Sequence, residues 1–132
     1  MTAATVCRIV AGGLILLISA ALAVGGIQLW RGGVNAWPDV IANDATVRWT
    51  SRGMVAMATF LFVAGVAAIC DVPWGARAAA IAVIVLVGLA LWANYALFGD
   101  IRPLHTGTNI VVAALILVLL WFGNSVLSIR PD

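Results

Sequence analysis

The chain has 132 residues, of which 64% are hydrophobic and 9% charged, with a mean hydropathy of +1.15 and a formal net charge of +2. A soluble domain carries roughly 45–50% apolar and about 25% charged residues, so the polar surface needed to coat a water-borne globule is missing. This excludes a soluble core, and the small charge without a basic run excludes nucleic-acid binding.

Every cation is arginine and every anion aspartate; lysine and glutamate are absent. Together with the abundant alanine, this points to a GC-rich bacterial genome. Length allows a single domain.

Residues 1–8 read as a short polar start ending at Arg8. Residues 9–30 then run without a charge, and about 20 apolar residues span a bilayer as a helix. Gly12, Gly13, Gly25 and Gly26 inside this run are tolerable where a neighbouring helix approaches closely. The rival reading is a cleaved signal over residues 1–23, with Arg8 as its basic start and Ala21-Leu22-Ala23 as its small-residue site.

Residues 31–53 are the one long stretch that is not simply hydrophobic. They hold Arg31, Arg48, Arg52, Asp39, Asp44, Trp37 and Trp49. Trp37-Pro38-Asp39 reads as a turn, because proline fixes its own φ and restricts the residue before it. Asn43 or Asp44 is placed to cap a helix. Val40, Ile41 and Val47 are expected on one side of a short interfacial helix. Arg48 and Arg52, four apart, share a helix face.

Residues 54–70 form the second span. It is slightly short for the hydrocarbon core, so its helix should start upstream, near Thr46, with Arg52 snorkelling to the headgroups. Residues 71–77 make a tight connection through Pro73 and Gly75. Residues 78–98 are the third span and 109–127 the fourth, separated by a loop with Pro103 and His105, the one histidine. Arg130-Pro131-Asp132 is the tail. The fold expected is all-α: an integral-membrane, antiparallel bundle of four transmembrane helices.

Four spans put both termini and the 71–77 connection on one side, called here the terminal side. The 31–53 stretch and the 99–108 loop fall on the other, the loop side. Trp30, Trp49, Trp92 and Tyr95 mark the loop side, and Trp74 and Trp121 the terminal side, as in the aromatic belts of two membrane interfaces. Arginine counts are nearly balanced across the two sides. Short hairpins and a small N-terminal tail favour a cytoplasmic terminal side.

The four apolar runs contain no Asp, Glu, Lys, Arg or His, which argues against proton-coupled transport. One histidine does not make a bis-histidine haem site. Cys7, Cys70 and His105 lack zinc spacing, and Gly12-Gly13, Gly25-Gly26 and Gly32-Gly33 lack the context of a phosphate loop. No cofactor and no metal are expected. Ser19 and His105 make no catalytic set, so the reading is non-enzymatic.

Arg48, Trp49 and Arg52 form the sharpest constellation. Arginine's planar fork suits a lipid phosphate or an acidic partner; the bland reading is interfacial anchoring. Asn94, Asn109 and Asn124 are expected to bond across helices or cap them. Small residues four apart (Ser19 and Ala23, Ala21 and Gly25, Ala64 and Ala68, Ala78 and Ala82) mark possible helix contacts.

Pro38 in the first loop, the Arg48–Gly53 segment before the second span, and Gly99-Asp100 after the third give a layout over most of the chain. It resembles small, uncharacterised four-helix bacterial inner-membrane proteins. The resemblance implies a fold and no activity. The function expected is an accessory or scaffold subunit of a membrane complex, presenting residues 31–53 to membrane lipids or to partner subunits. The alternative is a small homo-oligomeric channel or facilitator. The location expected is the cell inner (plasma) membrane, multi-pass, with both termini on the same side.

Overall fold

A computed structural model of the chain describes residues 2–37, 40–99 and 103–128, with side chains in the last segment over residues 107–123. The expectations for Pro38, Asp39, Asp100, the His105 side chain, Asn124 and the tail lie outside the described residues. The described residues include four α-helices: α1 (Ala3–Gly32), α2 (Asp44–Ile69), α3 (Gly75–Phe98) and α4 (Pro103–Ser128). No strand occurs among the described residues. The fold class is all-helical, and α1, α2 and α3 are long and apolar enough to cross a membrane. Within α4, which has 26 residues, the segment Gly107–Gly123 is apolar.

The helices are longer than the uncharged runs, because their ends are capped. The Thr2 side chain accepts the Thr5 amide at 3.2 Å and starts α1 well before residue 9. Asn43 Oδ1 accepts the Thr46 amide at 2.8 Å, which starts α2 at Asp44. Each cap satisfies an amide that the helix itself leaves open. The expected polar stretch 31–53 is therefore mostly helix: α1 ends at Gly32, a single 3-10 turn covers Gly33–Asn35, and α2 begins at Asp44. The short interfacial helix over Val40, Ile41 and Val47 is not formed. Val47 lies in α2 and is fully buried, while Ile41 is exposed and its amide bonds the Leu97 carbonyl at 2.8 Å. That bond ties the linker to the end of α3 instead.

α1 and α2 are the most closely joined pair. Small residues recur every seven positions along both: Gly12, Ser19 and Gly26 on α1, and Ser51, Ala58 and Gly65 on α2. They meet in antiparallel register. Ser51 Oγ donates to the Gly26 carbonyl at 2.8 Å, Ser19 Oγ donates to the Ala58 carbonyl at 2.7 Å, and Gly12 faces Gly65. A Cβ at Gly65 would sit 3.2 Å from the Gly12 carbonyl oxygen. The larger seam residues, Ile15, Leu22 and Leu29 against Val47, Met54 and Leu61, alternate with them. A seven-residue repeat is the period of a left-handed seam. Small residues bring the backbones close enough for hydroxyl-to-carbonyl bonds.

The helices form a closed ring. α1 touches α2 and α4, α3 touches α2 and α4, α1 meets α3 briefly, and α2 does not meet α4 among the described residues. Packing is tightest at the terminal side, where Ala11, Ile15, Leu61, Ala64, Ala68, Ala79, Ala82, Val83, Ile116 and Leu120 form the core. A smaller cluster of Leu29, Val47 and Leu97, packed against Trp37 and Phe98, lies at the loop side. Between them α3 splays: no residue after Val83 and before Leu97 is buried.

Candidate functional site

The two ends of the bundle carry different chemistry. At the loop side, α1 delivers Trp30 and α2 delivers Trp49 and Arg52. The Arg52 guanidinium carbon lies 5.3 Å from the Trp30 ring centroid and 5.4 Å from that of Trp49. A cation between two indole faces is held by their quadrupoles, and its N–H edge stays available. Arg48 pairs with Asp44 one turn earlier, at 3.2 Å, with both side chains well exposed. Such an exposed i,i+4 pair adds only a few tenths of a kcal/mol. The structure thus places Arg48, Trp49 and Arg52 together on one exposed part of α2, as expected, but with separate partners.

The terminal side holds a site that reading Arg8 as a polar start missed. Arg8 is the sixth residue of α1 and is 9% exposed. Its Nη1 lies 3.2 Å from Asp71 Oδ1, and its Nε is buried without a hydrogen-bond partner in the protein. A cation in the second turn of a helix sits at the disfavoured end of the helix dipole, so the Asp71 carboxylate compensates for its position as well as its charge. Asp71 occupies a left-handed backbone conformation, φ +59°. Its amide bonds the Ala68 carbonyl at 3.4 Å, and the Val72 amide bonds the Ala67 carbonyl at 3.1 Å. This is a Schellman stop, in which glycine is the usual residue at that position. The missed signal was in the spacing: Arg8 falls seven before Ile15, in register with Ile15, Leu22 and Leu29.

Arg8 and Asp71 open on a cavity of about 160 Å³. Ala68, Val72, Pro73, Ala76, Leu120 and Gly123 complete its wall, so all four helices contribute. Gly123 lets α4 approach: a Cβ there would sit 3.3 Å from the Ala4 carbonyl oxygen and 3.4 Å from Arg8 Cβ.

The splay of α3 leaves an apolar cleft toward the loop side. One lobe, about 260 Å³, lies between α2 and α3; another, about 450 Å³, lies between α1 and α4. Leu22, Trp37, Met54, Leu86, Ala90 and Asn109 border both. Trp37 stacks on Phe98 with ring centroids 6.3 Å apart and covers the end. Its polar wall residues are Thr50, whose hydroxyl bonds the Thr46 carbonyl of its own helix, and Asn94 and Asn109, so these asparagines face a cleft rather than a bond between helices.

Cys7 is half-buried and Cys70 exposed, and both are free thiols. No group of three potential metal ligands occurs among the described residues. Of the small pairs four apart, Ala64 and Ala68 are both buried, whereas Ala21 is exposed. Comparison with protein families, with characterised proteins and with solved structures finds no match for the chain.

Proposed function

We propose that the chain is a non-enzymatic, four-span protein of the bacterial inner membrane, an accessory subunit that gathers anionic lipid around its partner complex through Arg48, Trp49 and Arg52. The observation that carries this reading is Arg52 held between Trp30 and Trp49 on two neighbouring helices. Stacking orients the guanidinium while leaving its donors free, and tryptophans of this kind favour the headgroup level of a bilayer. The free fork suits phosphate better than a lysine ammonium does.

The test is the double substitution R48K/R52K, which keeps both charges and removes both forks. Retention of phosphatidylglycerol through detergent purification is measured by mass spectrometry. Retention should fall several-fold in the variant, with expression and membrane integration unchanged. Unchanged retention reduces the pair to interfacial anchors.

The second reading, a homo-oligomeric channel or facilitator, draws support from the loop-side cleft with Asn94 and Asn109. The cleft does not include the core residues Ala79, Ala82, Val83 and Ile116, which are buried, so a path would have to run between copies. Solute flux in liposomes by a homogeneous oligomer would favour this reading.

A further inference from the structure

Arg8 is nine-tenths buried, lines a cavity, and keeps one donor unsatisfied. A buried donor without a partner costs roughly 1–3 kcal/mol, more when the group is charged. Asp71, its counter-ion, is half exposed. It also sits in a left-handed backbone conformation, where glycine is the usual residue at a helix stop. A glycine there would end α2 more comfortably. The turn instead holds a carboxylate against the guanidinium, on the wall of the same cavity.

We infer that this cavity binds the headgroup of a zwitterionic glycerophospholipid bearing a primary ammonium. Its phosphate would accept from Arg8, and its ammonium would donate to Asp71. The charge pattern selects this class. Arg8 is already balanced by Asp71 3.2 Å away, so a purely anionic headgroup would gain the guanidinium and be repelled by the carboxylate. A headgroup with both signs meets both groups. A quaternary ammonium has no N–H to give Asp71, so phosphocholine satisfies only half the site. The apolar wall of Ala68, Val72, Pro73, Ala76 and Leu120 suits the glycerol and first methylenes, and the cavity lies at the helix ends, where headgroups would be. The inference rests on the membrane reading of the chain. It does not rest on the arginine pair at the opposite end.

The purified full chain is reconstituted into nanodiscs of phosphatidylcholine doped with phosphatidylethanolamine or phosphatidylglycerol, and the lipids retained after extraction are counted by native mass spectrometry. Wild type should retain phosphatidylethanolamine roughly tenfold over phosphatidylcholine, the factor expected for one charge-assisted hydrogen bond. Asp71→Asn should lose that preference. Asparagine tolerates the left-handed conformation, so the variant should fold. Arg8→Gln should lose retention of phosphatidylethanolamine; if it fails to fold, Asp71→Asn alone decides. Added O-phosphoethanolamine displaces the lipid if the headgroup itself is the ligand, and leaves it in place if the acyl chains contribute. Equal retention of phosphatidylethanolamine and phosphatidylcholine by wild type, or a preference that survives Asp71→Asn, overturns the inference and leaves Arg8 and Asp71 as a water-satisfied structural pair. R48K/R52K should leave this preference unchanged, so failure here is separable from failure of the proposed function.

Discussion

At the scale of the residue, glycines divide sharply by what surrounds them. A Cβ at Gly75 would sit 2.5 Å from the Ala67 carbonyl oxygen, against backbone that cannot rotate away, whereas nothing lies within 4 Å of a Cβ at Gly13. Gly75→Ala should therefore destabilise the protein by about 1–3 kcal/mol, the range for forced overpacking. Gly13→Ala should be neutral or slightly stabilising, because alanine is the better helix former. Denaturant titration in detergent, followed by circular dichroism, reads both. Similar behaviour of the two variants would mean that α3 does not start against the end of α2. Arg8 teaches a related point. Its type marked it as polar start, but its neighbours in space, Asp71 and Gly123, make it interior. Nothing local in Met1–Arg8 reveals a partner sixty-odd residues away.

At the scale of the element, the seam between α1 and α2 is set by small residues seven apart, joined by two hydroxyl-to-carbonyl bonds. The register brings the start of α1 to the end of α2, where Arg8 meets Asp71. Cys7 and Cys70 each precede one member of that ion pair. A short bis-maleimide should therefore bridge them within one chain, seen as a mobility shift that survives reduction. Absence of the intramolecular product, with both thiols shown to react, would place α1 and α2 apart. Pairs four apart mark close packing at Ala64 and Ala68, both buried in the core. They mark one face of one helix, whereas two helices winding together see the 3.5-residue repeat. That is why Gly12, Ser19 and Gly26 count together, and why exposed Ala21 does not.

At the scale of the whole molecule, the ring of four helices is tight at the terminal side and splayed at the loop side. The residue 33–43 linker crosses that open end through the Ile41–Leu97 hydrogen bond and the Trp37–Phe98 stack. If all four helices span, an even number of crossings returns the chain to its starting side. Reporter fusions at Met1 and Asp132 should then label one compartment. Opposite labelling would remove one span and overturn the four-crossing topology.

Composition and periodicity alone determined that the chain is helical, hydrophobic throughout and divided by three polar breaks. Those features depend on local apolar content and on backbone hydrogen bonds that each helix satisfies within itself. They also placed Arg48, Trp49 and Arg52 together, since residues three and four apart share a helix face whatever the rest of the chain does. The tertiary structure decided which faces meet, where α3 parts from its neighbours, and that Arg8 is buried against Asp71. Those outcomes depend on contacts between segments distant in sequence. In an apolar chain nearly every face is hydrophobic, so burial leaves no contrast in hydropathy from which to read them.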